Sequence, residues 1–326
     1  MTTTLPSVDK LIKDGLLMKG NDERLHIRRL ATGIPSLDEI LNGGFPYGRT
    51  TLMVGPESTG KTLIAQYAAK AQQEQEGRSH VLLVDTERSY DEVWWQASGV
   101  NTEELIISQP TTGEKAIDVM RSMIESDKEL GLIILDSIAS MTPMPILERS
   151  AEEKTMGLLA QLVNLLFYTI MPLNKQAIFI AINQLRSSMG GYGPEEVYPG
   201  GRGQRHYSHI ILRTRREGWL LEGTQRVGFT LEVSCQKNKT GTPQGVASIP
   251  FRFQGQLDLL QSYIDEAINR GLIVARPPYY SWQSLKWLGR AAARQHFCDQ
   301  PEAFELLKQE LRHCGADKTE HQNLSS

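Results

Sequence analysis

Cysteine is scarce in this chain: Cys235, Cys298 and Cys314 lie far apart and form no C-x-x-C pair. That spacing excludes a disulfide framework and a zinc ribbon and leaves reduced thiols. Long apolar runs are missing too. No stretch approaches the roughly 20 residues that a bilayer-spanning helix needs, and the opening MTTTLPSVDK has no apolar signal core, so a cytoplasmic protein without a membrane partner is expected. Nor is there an excess of positive charge. A formal net charge of −3 excludes a uniformly basic nucleic-acid binder and confines any such binding to a local surface. No internal repeat is visible. With 326 residues the chain can form one large domain, or a large one and a small one.

What is present begins with LMVGPESTGKTLIAQ, Leu52 to Gln66. An apolar run ends at Val54, an octet follows (Gly55, Pro56, Glu57, Ser58, Thr59, Gly60, Lys61, Thr62), and apolar residues then recur at helical spacing. This is strand, phosphate-binding loop, helix. The glycines let backbone N–H groups turn inward around phosphate oxygens, and the helix aims its positive end at them. Lys61 is expected to reach the β- and γ-phosphates of a nucleoside triphosphate, and the Thr62 hydroxyl to hold Mg²⁺.

From LATGIPSLDEILNGGFPYGRTTLMVG onward, strands and helices alternate, which predicts an α/β fold with a mostly parallel sheet covered on both faces. Further strands are expected at His80 to Asp85, Leu130 to Asp136, Ala177 to Asn183 and His209 to Thr214, and a long helix at Met156 to Ile170. Two segments break the alternation, 147–155 and the Gly- and Pro-rich 185–204, and loops of that kind inside a compact domain are commonly functional. The expected division is an N-terminal segment 1–30, a core 31–261, a small α+β C-terminal domain 262–314, and a polar, disordered tail 315–326.

The strand ending in Asp136 sits where a phosphate-loop enzyme holds Mg²⁺ through water. The strand ending at Asp85 delivers Glu87 to the same sheet edge, where a carboxylate can orient a water on the γ-phosphate. AINQLR brings Asn183, Gln184 and Arg186 there as well.

In order along the chain, GPESTGKT, VDTE, SQPTTGEKA, IILDSIASMTP, INQLR, PGG and CQKNKTGTP resemble the bacterial RecA family, in a divergent and compact form. The resemblance implies a RecA-like ATPase core, with Glu87 activating water, Asp136 as the Mg²⁺-side acid and Gln184 as nucleotide sensor. Asp91 and Trp94 fall where the family contacts adenine, with Trp94 in place of a stacking tyrosine. Lys237 and Lys239 match lysines that approach a neighbour's γ-phosphate in a head-to-tail helical filament, and the N-terminal segment is implied to serve oligomerisation. Taken alone, KNKTG is only a basic hairpin turn.

The two irregular segments match the family's DNA loops. Met156 falls at a base-step insertion position, Arg186 and Arg202 face phosphate, Gly200 and Gly201 offer backbone N–H groups, and Met189 and Tyr192 wedge or stack against bases. Arg215 and Arg216 match part of a secondary site for an incoming duplex. Glu232 and Ser234 replace basic residues there, the first loop carries three glutamates, and His206 replaces an aromatic relay. The implied activity is filament formation on single-stranded DNA, pairing with homologous duplex and strand exchange, with ATP and Mg²⁺ as cofactors. A RecA-fold regulatory ring ATPase, or a filament mediator that does not exchange strands, is the alternative.

Overall fold

A computed structural model describes residues 7–148, 157–187, 196–253 and 256–322. Its main sheet has nine strands among the described residues: β1 (Thr50–Gly55), β2 (His80–Asp85), β3 (Leu105–Ser108), β4 (Leu130–Asp136), β5 (Ile178–Gln184), β6 (Ile210–Glu222), β7 (Gln225–Asn238), β8 (Val246–Arg252) and β9 (Gln256–Leu257). Their spatial order is β9-β8-β7-β6-β1-β5-β4-β2-β3. From β6 through β3 every pairing is parallel, whereas β6 to β9 continue the sheet in antiparallel fashion.

The parallel strands read as unbroken apolar runs because both faces are covered. Met53, Ile180 and Leu231 join Ile64 and Ala68 of helix α1 (Lys61–Gln73) on one face. Leu52, Val54, Ile133 and Phe179 face the other way, against Ala116 and Met120 of α2 (Gly113–Ser126) and Val163, Leu166 and Phe167 of α3 (Leu158–Leu173). Thr112 caps α2 by accepting the Lys115 N–H.

Several boundaries move. The strand expected to end at Thr214 runs on to Glu222, pairing across a long hairpin that sets Trp219 opposite Phe229. Beyond Thr214 its side chains are mostly exposed, so no apolar pattern marks it. The expected helix at 156–170 spans Leu158–Leu173.

The C-terminal part has its own core of Ile264, Trp282, Phe297, Leu307 and Leu311. It comprises a helix Leu259–Asn269, a three-stranded antiparallel sheet of Val274–Arg276, Tyr279–Trp282 and Leu285–Leu288, and helices Arg290–Asp299 and Pro301–Gln322. The last helix continues past residue 315, where a disordered tail is expected. Anchored through Leu307 and Leu311, it propagates into ADKTEHQ, which holds no proline to stop it. Asp258 joins the two parts, accepting from Arg252 at 2.7 Å and from Arg294 at 2.8 Å. At the other end, helix Val8–Lys13 has no buried residue, and Leu16, Leu17 and Met18 are exposed.

Candidate nucleotide and nucleic-acid site

Strand β1 ends at Gly55, and the chain turns through Ser58 (φ +55°) and Gly60 (φ +78°) into α1. Glycine is required here by contact as well as conformation. A Cβ on Gly60 would lie 2.7 Å from Leu231 Cδ1, and one on Gly55 would lie 2.4 Å from the Thr214 carbonyl. Thr59 Oγ1 donates to Pro56 O at 2.7 Å and lies 2.7 Å from Thr214 Oγ1, which ties the loop to β6. Lys61 Nζ donates to Gly55 O at 3.1 Å and Pro56 O at 2.6 Å, so the ammonium is held inside the loop it closes. Burial pushes its pKa down, opposed by Asp136, Glu87 and Glu57.

Thr62 Oγ1 donates to Asp136 Oδ2 at 2.6 Å. Burial raises the Asp136 carboxyl to about 6; the Thr62 hydrogen bond and Lys61 lower it, while Glu87 and Asp85 raise it further. A divalent cation reverses that balance. Hydroxyl and carboxylate oxygens set side by side at the start of a phosphate loop are the hard donor set that Mg²⁺ takes, so these residues fit the ion.

Glu87 lies on the same edge, and its Oε1 accepts from Ser137 Oγ at 2.5 Å, Gln184 Nε2 at 2.9 Å and Ser140 Oγ at 3.2 Å. The two serines have no role of their own in the sequence reading; they enter from the residues that directly follow β4. Together these elements border a cleft of about 530 Å³ lined by the phosphate loop, Glu87, Asp136 and Gln184.

The far wall is aromatic. Trp94 is 41% exposed and its ring lies 6.5 Å from that of Phe251. Asp91 caps the helix Glu92–Ala97 by accepting the Trp94 N–H at 2.9 Å. Phe229, Phe251 and Arg216 also line the cleft, and sequence reasoning missed them as nucleotide-side residues. Register explains Arg216: it pairs with Leu231, the residue that packs on Gly60. Its guanidinium sits 4.4 Å over the Phe229 ring, and Nη2 lies 3.5 Å from Ser58 O. Arg215, grouped with Arg216 in the sequence reading, instead forks onto Glu232 through two 2.5 Å hydrogen bonds.

Behind Gln184, strand β5 is joined by hydrogen bonds to the second irregular segment. Asn183 Nδ2 donates to Pro199 O at 2.9 Å and Gln204 Oε1 at 2.7 Å, and Gln204 Nε2 donates to Pro199 O and Gly201 O. Both amides are fully buried. Gly200 and Gly201 adopt φ of +81° and +80°, and a Cβ on Gly200 would meet Val163 Cγ2 at 2.6 Å, so these glycines form the turn that seats the loop. Arg202 is exposed beside them. Arg186 opens a short ribbon, Arg186–Ser187 pairing with Glu196–Val197. Met156, Met189 and Tyr192 lie outside the described residues, as does most of 147–155. Gln204 carried no motif to identify it. For the DNA-stimulated ATP hydrolysis that the family resemblance implies, Gln204→Leu is expected to leave nucleotide affinity unchanged and to cut the stimulation at least tenfold, measured by comparing turnover with and without a dT oligonucleotide.

Lys237 and Lys239 lie at the opposite edge of the sheet. Lys239 N donates to His209 O and His209 N to Thr50 O, each at 2.9 Å, so Lys239 is level with the first residue of β1. The phosphate loop lies five residues further along that strand, about 17 Å away. Lys237 Nζ donates to the carbonyls of Arg205, His206 and Ser208, whereas Lys239 is exposed. Neither lysine is placed to reach the phosphate loop of its own chain.

Residues 1–257 match the model of the RecA N-terminal domain. Protein RecA of Nostoc sp. is 30% identical over 317 residues, 96% of this chain and 88% of the relative. Protein RecA of Halalkalibacterium halodurans is 31% identical over 314 residues, 94% of this chain and 89% of the relative, and that of Chlorobaculum parvum 30% identical over 319 residues, with 96% and 91% covered. With the phosphate-loop motif, the carboxylates and the Gln184 amide in one cleft, and with similarity along nearly its whole length, the chain belongs to the RecA family.

Proposed function

We propose that this protein is an ATP-dependent recombinase that assembles head to tail on single-stranded DNA, pairs it with homologous duplex and exchanges strands, hydrolysing ATP when DNA is bound. The observation that carries this reading is the hydrogen-bonded path from Glu87 through Gln184 and Asn183 to Gln204 and the loop base at Pro199 and Gly201. One end of that path lies in the phosphate-loop cleft, where the γ-phosphate is proposed to sit, and the other at the base of the segment 185–204, so occupancy of either would bias the other.

In the proposed cycle Lys61 and the loop N–H groups would bind the triphosphate, and Thr62 and Asp136 would hold Mg²⁺, which would supply charge neutralisation for phosphoryl transfer. Glu87 accepts the proton of a water whose oxygen attacks the γ-phosphorus; the β–γ bridging P–O bond breaks, giving ADP and phosphate. Trp94, Phe229 and Phe251 supply an apolar wall for the base. Met189 and Tyr192 are assigned to base contact, with Met156 from the other loop, and Arg186 and Arg202 to phosphate. The unburied helix Val8–Lys13 and exposed Leu16, Leu17 and Met18 support packing of the N-terminal segment on a neighbouring subunit. Such a contact is heterologous and propagates into a helix.

Electron microscopy of the protein with single-stranded DNA and a slowly hydrolysed ATP analogue is expected to give helical filaments. Lys61→Ala is expected to give none, because the loop loses its phosphate-neutralising side chain. Closed rings, or filaments indifferent to Lys61, would overturn the reading.

A further inference from the structure

A second cleft, of about 220 Å³, opens at the amino edge of the sheet, at the far end of β1 from the phosphate loop. Its wall collects residues that stand just ahead of three different parallel strands: Arg49 before β1, Arg78 before β2 and Lys175 before β5. Arg28 arrives from the N-terminal segment, with its guanidinium 5.1 Å over the Tyr47 ring. Tyr47 is itself held, donating to Gln72 Oε1 at 2.9 Å.

The four cations have no carboxylate partner among the described residues, and Glu23 is the one acid in the cleft lining. Arg49 donates to the carbonyl of Gly48, and Arg78 Nη2 to Gln176 Oε1. Arg78 Nη1 is buried with no hydrogen-bond partner among the described residues. Leaving a buried guanidinium N–H unsatisfied is costly, and like charges around one hollow repel each other. In a chain of net charge −3, such an arrangement is relieved by an anion. The field extends sideways along the edge: His209 is pushed down to about 4 by burial and by Arg49, Lys239 and Lys237.

We infer that this cleft is a second anion site, separate from the phosphate loop, that takes phosphate groups from a short oligophosphate or from a nucleic-acid backbone. Its size favours that class. Pockets for whole drug-sized ligands run to about 300–1,000 Å³ and are mostly apolar. This one is smaller and cationic, so it suits phosphate without a base. The arginine forks supply paired donors that match phosphate oxygens.

The phosphate loop must be silenced to read the second site. With Lys61→Ala protein and no Mg²⁺, titration calorimetry with inorganic tripolyphosphate is expected to reveal binding that weakens at least tenfold when Arg28→Ala and Lys175→Ala are added. Both side chains are exposed, so the fold should survive their removal, and an unchanged melting temperature verifies this. A DNA arm identifies the source. If the phosphates belong to a single strand, the double variant with Lys61 intact lowers the salt slope for a dT oligonucleotide by about 0.7 per lost contact. Lost tripolyphosphate binding with an unchanged slope supports a free oligophosphate, and loss of both supports the backbone. No tripolyphosphate binding to the Lys61→Ala protein, or binding unaffected by the double variant, overturns the inference whether or not the protein forms filaments.

Discussion

Glu87→Gln is expected to lower DNA-stimulated ATP turnover by about 10²- to 10⁴-fold, the range contributed by a positioned general base, with ATP and DNA affinities within a few-fold of the parent protein. The substitution keeps shape and one acceptor oxygen, so the hydroxyls of Ser137 and Ser140 and the amide of Gln184 retain a partner. What is lost is the ability to take a proton. We propose further that DNA release follows hydrolysis, so the variant should form a long-lived filament, seen as slow loss of anisotropy from a labelled strand after dilution. A turnover number equal to that of the parent would remove Glu87 from the chemistry and leave it as a structural partner of Gln184.

Much of this site was legible in sequence because its parts are local. GPESTGKT, the Asp136 strand end and Glu87 just after β2 each need only a strand and the few residues that follow it, and parallel topology brings all such ends to one edge. Residues whose position depends on register were not legible. Arg216 reaches the nucleotide cleft because it pairs with Leu231, and Phe251 because it pairs with Phe229; neither pairing leaves a trace in spacing. Gln204 and Asn183 meet across a turn whose glycines read equally well as DNA-facing backbone. The basic cleft was invisible for the same reason, since Arg28, Arg49, Arg78 and Lys175 are scattered over almost 150 residues of chain. Helix Pro301–Gln322 outran its expected end because composition measures the absence of a core, and this helix already had one in its first turns.

The other large expected effect falls on Lys237 and Lys239, where the proposed nucleotide chemistry and the proposed assembly meet. Each chain's lysines lie at the edge of the sheet opposite its own phosphate loop, so any action on a γ-phosphate has to be on a neighbour's. Changing both to Ala is expected to leave ATP binding to isolated subunits intact and to reduce DNA-stimulated hydrolysis by about 10³-fold or more, as when a cation supplied in trans is withdrawn from phosphoryl transfer. Lys237 also binds three carbonyls at the end of helix Gly203–Tyr207, so its loss alone could act by loosening that helix. Lys239→Ala avoids this ambiguity, being exposed, and should retain most of the defect. Mixing tests the geometry directly. Subunits with Lys61→Ala have a disabled loop but intact lysines, and the double-lysine variant has the reverse. Combined in one filament on DNA, they should recover turnover at the interfaces where an intact loop faces intact lysines. If co-assembly is demonstrated by energy transfer between labelled subunits and no turnover returns, the lysines do not act in trans, and Lys237 is left with the role its hydrogen bonds already give it, closing a helix.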